Sequence, residues 1–212
     1  MLVIILLAAA GCADISSDMD FNTLDELKVA AGSLLVFPDI LPFEPKHSDL
    51  SGYHYERINS WDYYIRYYYE ASPQTFLNPE SYEQLEEGSP TVVYIDIWAF
   101  EPKHIDGKIG TPNRLSETGE YNRLIEEAGD KIWKICDVAV PYKSSFSSEL
   151  NSGPDNEKYP PYVYADLYAV FKYNEILYAI EMQVIGHINE TEENMLEMSE
   201  SMLETVVTGM LK

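Results

Sequence analysis

The chain has 212 residues, 46% of them hydrophobic, which is enough for one well-packed domain and too apolar for general disorder. Lys and Arg number 14 against 36 Asp and Glu, and the formal net charge of -22 excludes nucleic acid and anionic lipid head groups as electrostatic partners. The 2 Cys, Cys12 and Cys136, are too few for a disulfide framework.

The chain opens on the apolar run Leu2 to Leu7, followed by Ala9-Ala10-Gly11-Cys12. Small residues ahead of a cysteine give close backbone access to a lipid transferase and to a peptidase that cuts before the cysteine. The segment therefore reads as a lipoprotein signal peptide over residues 1–12, with Cys12 as the lipidation site. The competing reading is a buried N-terminal element that ends in Cys, and no Lys or Arg precedes the run. The stretch falls well short of the ~20 apolar residues that span a bilayer. A diacylglyceryl group with palmitate-like chains buries two hydrocarbon tails at about 0.8 kcal/mol per CH2, whereas a single chain holds only marginally.

Residues 13–21 are polar and acidic and predict a solvated tether, with a single domain over 22–212. Thr23-Leu24-Asp25-Glu26 is a capping box, Leu24, Leu27 and Ala31 share one helical face, and Gly32 supplies a stop; a helix over 23–31 follows. Leu34 to Phe37 runs into Pro38 and Pro42 as a broken extended segment. Strands are expected at 53–58, 61–69, 91–100, 131–140, 162–173 and 176–185, all rich in Tyr, Ile and Val, with turns at Asn59-Ser60 and Tyr173-Asn174-Glu175. Cys136 falls inside the fourth of these and reads as a small buried hydrophobe.

Helices are also expected from Asn78-Pro79 to Gly88, and around the stripe Tyr121, Leu124, Ile125 and Ala128. Residues 144–161 read as a long surface loop. A last helix, capped by Asn189 with Glu192, presents Met195, Met198, Met202, Leu203, Val206 and Met210 on one face. The fold class is α+β: an antiparallel sheet of about six strands packed by N-terminal and C-terminal helices.

No nucleophile elbow, zinc-protease helix, phosphate loop, paired-cysteine motif or calcium loop is present in the sequence, and nothing in it calls for a cofactor. Phe-Glu-Pro-Lys-His occurs twice, at 43–47 and 100–104, each time followed by x-Asp. His47, Asp49, His104 and Asp106 would form a weak metal-ligand set if the two loops met, and otherwise each repeat ends an extended segment in a solvated turn. Strand alternation places Tyr94, Asp96 and Trp98 on one face, with Tyr164, Asp166 and Tyr168, and with Tyr64, Arg66 and Tyr68. Cross-strand tyrosine packing is the more economical account of that face. An open groove there would offer stacking surfaces and polar groups to an envelope peptide, a carbohydrate or a cationic ligand.

The short helix ending at Gly32, the run Phe37-Pro38-Asp39-Ile40-Leu41-Pro42 and the strand opening at Gly52-Tyr53 resemble a domain of unknown function in lipoproteins and sporulation-associated membrane proteins of Gram-positive spore-formers. Val184-Ile185-Gly186, Glu192-Glu193 and Met198-Ser199-Glu200-Ser201-Met202 resemble its last strand and helix. The resemblance implies an α+β fold and an envelope setting, and carries no catalytic residues. The function expected is a non-catalytic binding or scaffolding domain, lipid-anchored at the extracytoplasmic face of the cell membrane. The alternative is an envelope hydrolase with its site in the aromatic face and the 144–161 loop.

Overall fold

The computed structural model describes residues 15–32, 35–55, 60–71, 90–100, 131–149 and 162–212. Cys12, the expected helices near 78–88 and 121–128, the loop from 150 onward, His104 and Asp106 lie outside them.

In chain order the described elements are β1 (Ile15–Asp20), α1 (Leu24–Ala31), β2 (His47–Tyr55), β3 (Ser60–Glu70), β4 (Val92–Phe100), β5 (Ile132–Ile135), β6 (Val138–Glu149), β7 (Tyr162–Tyr173), β8 (Ile176–His187) and α2 (Glu192–Leu211). The strands form one sheet in the order β1-β2-β3-β4-β8-β7-β6-β5, every pair antiparallel. The α+β class stands, with eight strands where about six were expected.

The two added strands have a local cause. β1 runs through the segment read as a tether and pairs with β2 through its backbone, a pairing that leaves no hydrophobic period to read. The expected 131–140 strand is instead a hairpin. Cys136 and Asp137 both take positive φ, 48° and 67°, in a two-residue turn between β5 and β6. Cys136 is therefore exposed at a hairpin tip and not buried in a strand. β6 then continues to Glu149, so residues 144–149 belong to a strand and not to the expected loop. Asn174 and Glu175, at φ 51° and 66°, make the same kind of turn between β7 and β8.

One face of the sheet is the core. Tyr63, Ile65 and Tyr67 of β3, Val93, Ile95 and Ile97 of β4, Ala165 and Leu167 of β7, and Ile180 and Met182 of β8 are all buried there. Three pieces cover it. The first is α1, whose capping box forms: Thr23 Oγ1 accepts from the Glu26 amide at 3.2 Å, and Glu26 Oε2 accepts from the Asn22 amide at 2.8 Å. The second is the stretch from Leu35 to Phe43, broken by Pro38 and Pro42 and pinned where the Val36 amide donates to the buried Tyr178 hydroxyl at 2.8 Å.

The third is α2, packed across β5 to β8. Its cap is Thr191, whose hydroxyl accepts from the Asn194 amide, and not the expected Asn189. Met195, Leu203, Val206, Val207 and Met210 are buried, whereas Met198 and Met202 are only half-buried at the edge of the face. Gly209 lets the chain approach: a Cβ there would lie 3.0 Å from the Ile40 carbonyl oxygen, and the Asp39 amide donates to the Gly209 carbonyl at 3.3 Å. Near its middle, α2 is tied to the sheet edge through Glu200. That carboxylate accepts from Ser144 at 2.7 Å, Lys131 at 2.9 Å and Tyr142 at 3.0 Å.

Candidate functional site

The register of the central strands creates the second face. Position for position, Arg66 lies opposite Asp96, Asp96 opposite Glu181, and Glu181 opposite Tyr168, one polar row across β3, β4, β8 and β7. The adjacent row runs Tyr68, Tyr94, Gln183, Asp166. On the other side the row is Tyr64, Trp98, Ala179, Val170, and it is apolar apart from one phenol. Alternation at two residues per repeat puts all of these on the face away from α1 and α2.

Between the two polar rows the surface sinks into a trough of about 300 Å³, lined by Arg66, Tyr94, Asp96, Asp166, Tyr168, Glu181 and Gln183 among others. One wall is a fixed ion pair. Arg66 Nε and Nη2 donate to the two carboxylate oxygens of Asp96 at 2.7 and 2.6 Å, and the Tyr64 hydroxyl donates to Asp96 Oδ1 at 2.9 Å. The two-pronged geometry fixes both side chains and cancels their charges. On the opposite side, Gln183 Nε2 donates to Asp166 Oδ1 at 2.9 Å.

The hydroxyls of Tyr64, Tyr68 and Tyr94 are all held above the ordinary tyrosine value. Burial, reinforced by the Asp96 charge, lifts Tyr64 well above the usual tyrosine range. Burial and then Glu70 push Tyr68 up to about 12, and burial raises Tyr94. The hydrogen bonds to Asp96 likewise hold the Arg66 guanidinium above its ordinary value.

Beside the trough, aromatic rings pack on one another. Tyr64 and Trp98 have centroids 4.4 Å apart, and Tyr53 and Phe100 each lie 6.1 Å from Trp98. Phe100, Val170, Leu177 and Ala179 form a second buried cluster, with Trp98 and Tyr168 packed against it. The six residues expected to bind therefore divide. Tyr94, Asp96, Asp166 and Tyr168 meet in the trough, Trp98 serves the neighbouring cluster, and Tyr164 sits next to Tyr162 with centroids 6.2 Å apart, outside the lining.

Glu181 and Gln183 complete the floor and were not singled out from sequence, although they alternate with the buried Met182 and Val184. Arg66 was placed on the right face, but its pairing with Asp96 needed the β3–β4 register.

His47 Nε2 and Asp49 Oδ1 are 2.8 Å apart on β2, both well exposed. Among the described residues no group of three or more His, Cys, Asp or Glu is gathered as a metal would require. The described lining of the trough contains no Ser, Thr or Cys that could act as a nucleophile. At the sheet edge Ser144 does lie beside Lys131, and both side chains are bonded to Glu200 Oε1.

Comparison with protein-family models, with curated proteins and with solved structures finds no match.

Proposed function

We propose that the protein is a lipid-anchored extracytoplasmic binding domain of the cell envelope, held through Cys12, which recognises its ligand in the trough of the second sheet face. The observation that carries the binding half is the trough itself. Its ion pair and hydrogen-bonded carboxylate are oriented by fixed neighbours, and aromatic side chains lie alongside, so a ligand meets preorganised groups. The anchoring half is supported by Ala9-Ala10-Gly11-Cys12 behind the apolar run, and by the resemblance to spore-former lipoproteins. No helix among the described residues is long and apolar enough to cross a membrane, so the described part of the chain supplies no helical anchor of its own.

The test uses the full chain in a bacterial host. The wild type should incorporate labelled fatty acid and sediment with membranes, and Cys12→Ala should lose both. Continued labelling of Cys12→Ala sinks the anchor. Fragments of envelope material added to the purified Cys12→Ala chain should raise its melting temperature, and the rise should vanish in Tyr94→Ala. An equal rise in Tyr94→Ala removes the trough as the site.

A further inference from the structure

The trough's own chemistry narrows the ligand, and this step rests on the trough being the binding site. Its charges are not evenly answered. Asp96 is neutralised by the two-pronged contact with Arg66, whose guanidinium is thereby committed. Asp166 is met by one amide N–H of Gln183 on Oδ1, a dipole and not a charge, and no cationic group among the described residues lies within ion-pairing distance of it. Among the described residues its Oδ2 accepts no hydrogen bond, and it can accept from a group that enters the trough. Gln183 itself, Tyr94 and Tyr168 line the same depression.

From these groups we infer that the trough takes the primary ammonium end of an organic cation, with Asp166 as its counter-charge. Three considerations favour a cation over a neutral polyol or an anion. A hydrogen bond from a charged donor to a carboxylate is stronger than one from a neutral donor. Tyrosine faces attract cations through the ring quadrupole and offer anions nothing equivalent. The chain's net charge of -22 draws cations toward the surface and repels anions at any orientation. A volume of about 300 Å³ holds an ammonium and the first few carbons behind it, since a water takes about 30 Å³. A longer chain or a sugar ring would continue out of the opening.

The experiment titrates the purified full-length Cys12→Ala chain with four probes by calorimetry: diaminopentane, pentanediol, glucosamine and glucose. Either amine should bind saturably while its neutral counterpart does not, and the stronger amine identifies a linear or a sugar-borne source. Asp166→Asn should weaken amine binding about tenfold or more with an unchanged melting temperature. Glu175→Gln, an equal change in net charge at the exposed β7–β8 turn, should leave binding as it was. Raised salt should weaken it as well. If each neutral probe binds as well as its amine and Tyr94→Ala abolishes both, the trough is a binding site but the cation inference fails. Equal amine affinity in Asp166→Asn overturns the inference too. If no probe binds to a chain that melts as the native protein does, the inference fails with the trough.

Discussion

The Arg66–Asp96 pair is the joint on which the site turns, and a double-mutant cycle measures it. Asp96→Asn keeps the shape and removes the charge, so one guanidinium prong loses its carboxylate partner and the Tyr64 hydroxyl loses a strong acceptor. Hydrogen bonds to charged groups contribute about 1.5 to 3 kcal/mol each. The Arg66 side chain is 45% exposed, so water recovers much of its share, while Asp96 is only 15% exposed and recovers little. The expected cost of Asp96→Asn is therefore about 2 kcal/mol, a fall of roughly 4 to 8 °C in melting temperature for a domain of this size. Arg66→Gln alone should cost less, because the Asp96 carboxylate keeps the Tyr64 hydroxyl. The coupling energy from wild type, both single variants and the double variant should be about 1 to 2 kcal/mol and should persist in high salt, as the geometry excludes bulk screening at the carboxylate. A coupling energy within about 0.3 kcal/mol of zero refutes the claim that this pair is a fixed wall.

Three further outcomes follow from the packing. Burial raises the Glu200 carboxyl, but the bonds from Ser144, Lys131 and Tyr142 outweigh it and the net shift is downward; its contribution should be full above the ordinary glutamate range near ~4.3 and be lost as pH falls below it, so the stability gap between wild type and Glu200→Gln should close in acid melts. Gly209→Ala should lower stability by about 1 to 3 kcal/mol despite better helix propensity, since the new methyl meets Ile40 backbone at 3.0 Å; a raised melting temperature would show that the 35–43 segment is not seated there. Leu203→Asp should abolish cooperative unfolding, whereas Met202→Asp should be tolerated far better at its half-buried position, and equal effects would contradict the placement of α2.

What sequence could reveal was set by periodicity. In β3, β4 and β7 one residue in two is apolar and buried, so alternation alone assigns Arg66, Tyr94, Asp96, Asp166 and Tyr168 to a common side. Periodicity says nothing of strand order. β8 follows β7 in the chain but inserts between β7 and β4, and only that placement puts Glu181 and Gln183 in the lining of the trough. Ile135-Cys136-Asp137-Val138 lacks Gly and Asn, the usual marks of a two-residue turn, so hydrophobic continuity misread a hairpin as one strand. The edge strand β1 escaped for the opposite reason: its acidic sequence has no apolar alternation, and it is held mainly by backbone pairing, with Ser51 Oγ donating to Asp20 Oδ1 at 3.2 Å. At the last helix Thr191 outcompetes Asn189 because α2 begins at Glu192, two residues later than an Asn189 cap requires.

The composition of the second face separates stability from recognition. A half-buried Arg–Asp pair close to the middle of a sheet is near break-even against apolar residues of the same volume, because desolvation offsets most of the Coulomb attraction. The neighbouring row Tyr64, Trp98, Ala179, Val170 demonstrates that these same four strands accept apolar side chains at the next repeat. Stability therefore gives no reason for Asp166, Glu181 and Gln183 to gather where tyrosines and valines would pack. They present polar groups to solvent instead, beside an ion pair that holds Arg66 and Asp96 in place. If the proposed binding site is right, variants at Arg66 and Asp96 should mix loss of binding with loss of stability. On the proposed reading, variants at Asp166 and Gln183 should read binding almost alone.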